Sequence, residues 1–237
     1  MSARLSNSLP PPASEALIVS EMSQLATRIK NHAANFFISQ TIDSNIFRGN
    51  VLADIGLDQR TISKLFSQLA SMEGKQDAVR YIIAKKIFSC IDLPGKEITT
   101  FLPVALVYFM RNMADTNGDD NITLLQCKWR VITARIFSNE LMHTHDPHIE
   151  AAQQSLIGFL QPLVESGKMQ QCSENMRSLL QYAAQFGMRL FSQPSIYEFD
   201  WVDNGLGEVV FLGLVQVNNE DGQRLIHHRH LTQPLRA

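Results

Sequence analysis

The feature that most constrains this 237-residue chain is a change of hydrophobic period at Pro194. From about residue 173 to Phe191, Met176, Leu179, Leu180, Ala183 and Leu190 recur at intervals of three and four. Beyond Pro194, Tyr197, Phe199 and Trp201 alternate with Glu198 and Asp200. A 3.6-residue period marks a helix with one buried stripe, and a period of two marks a half-buried strand. Proline cannot continue the helix between them. Nearly everything upstream has the helical period, and the strand signal lies downstream. The expected fold is therefore mainly α, a multi-helix bundle closed by a small C-terminal antiparallel β-hairpin. The boundaries follow: a disordered N-terminal arm over 1–13 with three consecutive prolines, one helical domain over 14–226 with the hairpin at about 195–217, and a His-containing tail over 227–237.

The spacing predicts a first helix from Glu15 to about Ile42, with Ile18, Met22, Leu25, Ile29, Ala33 and Phe36 on one stripe. Helices follow at 58–73 and 76–93, the second with Lys85 and Lys86 on a solvated face. From Val104 to Met110 the pattern is apolar all round, which predicts a helix at the centre of the bundle. In the next helix Leu125, Trp129, Ile132 and Ile136 form one stripe, and Lys128, Arg130 and Arg135 lie elsewhere. Asp146 before Pro147 predicts a helix start, Pro162 a kink or end, and Ser173 the cap of the last long helix. Asn204-Gly205 and Asp221-Gly222 predict turns.

Composition excludes several function classes. Hydrophobic content is 45% and charged content 19%, ordinary for a globular protein. A net charge of −2 gives no general attraction to nucleic acid or to anionic membranes. The apolar run at 101–110 is half of what spans a bilayer, and the N-terminus carries no secretory signal pattern. Three cysteines without CxxC spacing suit a reducing compartment. Expectation is thus a soluble, cytoplasmic protein.

Six of the seven histidines fall in two triplets, His143, His145 and His148 in HTHDPH, and His227, His228 and His230 in HHRH. Neutral imidazole is a favoured zinc ligand, and HxH spacing lets two rings converge on one ion. HTHDPH resembles the HxHxDH run of metallo-β-lactamase-like hydrolases, with Pro147 where that family carries a metal-binding Asp. DTNGDDNITLLQ at 115–126 resembles a calcium loop of the EF-hand or dockerin type, with Asp115, Asn117 and Asp119 at the first alternating ligand positions. Asp120 replaces the turn glycine and Gln126 the terminal bidentate acid, which makes it a degenerate calcium-binding loop. His32 sits at the edge of the first stripe without a His or Cys partner at i±3 or i±4, and reads as a core residue. No GxSxG, HExxH, dinucleotide or phosphate-loop motif is present. No cofactor is expected; zinc at the HTHDPH triplet and calcium at the 115–126 loop are the two sites to test.

WRVITARIF at 129–137, LFSQPSIYEFDW at 190–201 and VVFLGLVQVNNEDGQRL at 209–225 together resemble a group of uncharacterised filamentous-fungal helical proteins. Those end in a Phe-Ser-Gln-Pro-Ser-like turn, an aromatic strand and an apolar strand with an Asp-Gly turn. The resemblance implies a shared fold and carries no activity. The resulting expectation is a non-catalytic module that binds another protein. Two alternatives stand beside it: a metal-dependent hydrolase using the HTHDPH triplet, and a binder of a small apolar ligand near Phe109, Trp129 and Phe186, such as an accessory protein of fungal metabolism.

Overall fold

Capping decides where the helices begin. Ser14 Oγ accepts the Leu17 N–H at 3.2 Å, Asp58 Oδ1 accepts that of Thr61 at 2.8 Å, and Asp146 Oδ1 accepts that of His148 at 2.8 Å. Each bond satisfies one of the amides that a helix start leaves without an intrahelical partner. The computed structural model describes residues 11–38, 43, 57–93, 96–113, 120–137, 146–201 and 209–236. Among these, the helices are α1 (Glu15–Phe36), α2 (Gln59–Ala70), α3 (Lys75–Ile91), α4 (Val104–Met113), α5 (Asp120–Phe137), α6 (Pro147–Leu160) and α7 (Met169–Phe191). The strands are β1 (Tyr197–Asp200), β2 (Val209–Phe211), β3 (Gly213–Asn218), β4 (Arg224–Thr232) and β5 (Leu235–Arg236). The fold is mainly α, closed by a small antiparallel β element near the C-terminus.

Several boundaries depart from the periodicity. Helix α1 stops at Phe36 because Phe37 leaves it to form a bridge with Val164, and Ile38 N–H donates to Leu163 O at 2.9 Å. Helix α7 starts at Met169, before Ser173, since Gly167 takes a φ of +81° that glycine adopts without strain. The Ser173 hydroxyl instead accepts from Gln153 Nε2 at 2.9 Å. Pro162 acts as expected: α6 ends at Leu160 and Gln161–Leu163 form a 3₁₀ turn.

Helix α7 packs against α1, α3, α5 and α6. Its stripe meets Ile18, Met22, Leu25 and Ile29 of α1 and Ile82, Ile83 and Ile87 of α3 in one continuous core. Gly187 permits the close crossing of α3, because a Cβ there would lie 2.8 Å from Ile91 Cβ.

The β element exceeds one hairpin. Strands order β1-β3-β4 in an antiparallel sheet, with Phe199 opposite Leu214 and Val215 opposite His230. β2 pairs separately with β5. The aromatic face of β1 lands on α3, with Phe88 4.8 Å from Phe199 and Tyr81 5.6 Å from Trp201 between ring centroids. Lys85 and Lys86 are not on a solvated face: Lys86 is buried, and Lys85 Nζ lies 3.8 Å from the Trp201 ring centroid in a cation–π contact.

Helix α4 is peripheral, not central. Only Leu106 and Val107 are buried, whereas Val104, Tyr108 and Phe109 are exposed. Its small buried face meets Ala134 and Phe191 in a satellite cluster. Among the described residues no helix is long and apolar enough to cross a membrane.

Candidate functional site

The metal-site expectations fall mainly on undescribed residues. His143, His145, Asp115, Asn117 and Asp119 lie outside the described residues. His148 sits in the first turn of α6, its Nδ1 2.6 Å from the carbonyl of Thr100. Gln126, at the terminal ligand position of the calcium-like loop, donates through Nε2 to Met113 O at 2.8 Å and ties α5 to α4. His227, His228 and His230 are on β4 and exposed, with His230 Nδ1 3.7 Å from Asp200 Oδ2. Among the described residues no group of three His, Cys, Asp or Glu side chains is arranged to hold a metal ion.

One constellation was invisible to spacing because its members lie far apart in sequence. His32 Nε2 lies 3.8 Å from Cys172 Sγ, and His32 Nδ1 is 2.7 Å from Asn175 Oδ1. Thiol, imidazole and orienting amide in that order are the parts of a cysteine nucleophile with its base. The surroundings oppose ionisation. Burial pushes the Cys172 thiol up to about 11, and burial lowers the His32 imidazole, partly offset by Asn175. Cys172 is 0% and His32 1% exposed, with the imidazole near Phe36 and Phe37. A neutral thiol beside a neutral imidazole, both shut from solvent, satisfies polar groups between α1 and α7 and presents no nucleophile.

A second polar cluster sets the orientation of α5. Arg130 is fully buried, and its Nη2 donates to the carbonyls of Pro194 at 3.2 Å and Ser195 at 3.1 Å. Nε and Nη1 have no hydrogen-bond partner among the described residues, and burial lowers the guanidinium pKa, with Cys127 countering. Asn218 Nδ2 approaches Cys127 Sγ at 3.4 Å, and its Oδ1 accepts the Ile196 N–H. Gln216 Nε2 donates to Ser195 Oγ at 3.0 Å. The WRVITARIF, FSQPS and VVFLGLVQVNN stretches therefore meet here, where a guanidinium pins the helix-to-strand turn by carbonyls that the turn itself leaves unpaired.

That anchoring reverses the expected sense of α5. Cys127, Arg130, Thr133 and Ala134 face inward, so the stripe of Leu125, Trp129, Ile132 and Ile136 lies more than a quarter-turn away. Leu125 is 65% and Ile136 70% exposed; Trp129 and Ile132 are half-buried. Trp129 stands 6.0 Å from Phe109 of α4 and 6.1 Å from Phe191 of α7 between ring centroids. Tyr108 and Phe109, each 54% exposed, continue the apolar surface onto α4. On the other side of the stripe Lys128 and Arg135 border a cleft of about 690 Å³ that Cys127, Val131, Gln193, Glu220 and Asp221 also line. The α4–α5 face holds five of the exposed large hydrophobic residues among the described residues, and it is the candidate site. No family model matches the chain, and no match was found among curated proteins or solved structures.

Proposed function

We propose that the chain is a non-catalytic protein-interaction module whose docking surface is the outward face of α4 and α5. One observation carries this reading: Leu125 and Ile136, at the two ends of the α5 stripe that periodicity marks as core, are exposed beside the exposed Tyr108 and Phe109 of α4. Val104 is 44% exposed, Tyr108 and Phe109 54%, Leu125 65% and Ile136 70%, and exposed apolar side chains grouped on one face mark interaction sites. The reading also agrees with the un-ionised, enclosed state of the Cys172–His32 pair. In the region of Phe109 and Trp129, rings pack from Phe109 through Trp129 to Phe191, which weighs against the small-apolar-ligand alternative.

The test compares capture by the native chain and by a Leu125→Glu/Ile136→Glu variant, with metal content measured on the same dialysed samples. Partners retained by the native chain and lost by the variant support the module. Capture indifferent to the variant contradicts it. One zinc per chain that His143→Ala removes favours the hydrolase alternative instead.

A further inference from the structure

The three cysteines are all buried, and their surroundings set one apart. Cys90 Sγ lies 3.9 Å from Ser89 Oγ, and Cys172 Sγ lies 3.8 Å from His32 Nε2. Burial pushes both of these thiols up. Cys127 Sγ instead faces Asn218 Nδ2 at 3.4 Å and Arg130 Nη2 at 3.7 Å. Both nitrogens can only donate. Asn218 Oδ1 is taken by the Ile196 N–H, which fixes the amide, and a guanidinium carries no acceptor. The sulfur therefore accepts from two N–H groups, one of them cationic, an arrangement that favours a nucleophilic sulfur.

Arg130 supplies an independent observation. Its guanidinium is fully buried, and Nη2 is met by two carbonyls and Cys127, with no carboxylate among them. Nε and Nη1 have no hydrogen-bond partner among the described residues, so a buried cation short of acceptors stands beside this sulfur. Cys127 also lines the cleft of about 690 Å³ described above, and Cys90 and Cys172 do not.

We propose that Cys127 is a modification site, at which a hydroperoxide small enough to enter this cleft oxidises the thiol to a sulfenic acid. This inference does not rest on the docking surface. Sγ attacks one peroxide oxygen, and the S–O bond forms as the O–O bond breaks. With hydrogen peroxide, the departing hydroxide takes the thiol proton and leaves as water. Sulfur loses two electrons and the peroxide gains them, which leaves Cys127 as the sulfenic acid. The added oxygen is a new acceptor beside a guanidinium that lacks acceptors for two of its nitrogens. Cys127 has no surface open to bulk solvent, which selects for small reagents, and hydrogen peroxide is little larger than water.

The test exposes the native full chain to hydrogen peroxide with dimedone, which traps sulfenic acids, and reads the adduct on each cysteine by peptide mass spectrometry. Cys127 is expected to label at least about tenfold faster than Cys90 and Cys172, and the preference to vanish in urea. Arg130→Lys keeps the cation and removes the fork that reaches Sγ, so Cys127 labelling in the folded variant is expected to fall about tenfold. A Cys127 rate no faster than the other two, or one common rate for all three, overturns the proposal. So does a folded Arg130→Lys protein with unchanged Cys127 labelling. If that variant does not fold, the ranking of the three cysteines in the native chain decides alone.

Discussion

Helices α5 and α7 both carry apolar residues at intervals of three and four, and the fold turns them in opposite senses. In α7 the stripe is interior: Leu180 and Ala183 are 0% exposed and Phe186 2%. In α5 Leu125 and Ile136 are exposed and Trp129 and Ile132 half-buried, and the interior face holds Cys127, Arg130, Thr133 and Ala134. Period determines which residues share a face; the neighbours determine which face is covered. Helix α7 is enclosed by four other helices, so its apolar stripe has partners. Helix α5 is held on one side by Arg130, which donates to the carbonyls of Pro194 and Ser195 and so turns that face of the helix inward.

The largest expected effect separates the two stripes directly. Leu180→Ala should cost about 2–5 kcal/mol in urea unfolding, the range for an enclosed leucine, whereas Leu125→Ala should stay within about 0.5 kcal/mol. Comparable losses at the two leucines would erase the distinction. Arg130→Ala comes next. It removes the donor to two carbonyls and leaves a void, and should cost about 2–4 kcal/mol by the same measurement. An unchanged midpoint would mean that Arg130 does not orient α5.

The smallest effect tests the α1–α7 contact that holds α7 in place. Burial lowers the His32 pKa below its ordinary 6.5, so the folded state binds this proton less readily than the unfolded chain does. The neutral ring's contribution is complete above about pH 6.5 and is lost as pH falls toward the depressed folded value. Between pH 7.5 and 5.5 the native chain should lose up to about 1 kcal/mol more stability than His32→Gln. Parallel pH profiles for the two proteins would show that the ring is not held neutral.

Much of the fold was legible from the chain. The switch at Pro194, the Asp146–Pro147 start, the Pro162 stop and the α7 stripe all rest on local rules, and local rules suffice for them. Helix α4 shows where such rules end: an all-apolar segment suits a central helix or a docking surface equally, and only its neighbours decide. Periodicity puts Arg130 off the apolar stripe and says no more, because sequence does not reveal acceptors 64 and 65 residues away at Pro194 and Ser195. His32 was placed as a core residue correctly, but its partner Cys172 is 140 positions distant. Of the proposed ligands His143, His145, His148, Asp115, Asn117 and Asp119, His148 alone lies within the described residues, where its ring meets the Thr100 carbonyl. Periodicity places Leu125, Trp129, Ile132 and Ile136 on one stripe; that Leu125 and Ile136 face outward is the part that no periodicity contains.

The central claim, that α5 presents Leu125 and Ile136 of its apolar stripe outward, is tested most directly by the stability of Leu125→Glu/Ile136→Glu in equilibrium urea unfolding. Two carboxylates placed on an exposed face should leave the unfolding free energy within about 1 kcal/mol of the native chain, with an unchanged urea dependence. A loss beyond about 4 kcal/mol, the signature of charges forced into a core, would place the stripe inside and contradict the docking surface.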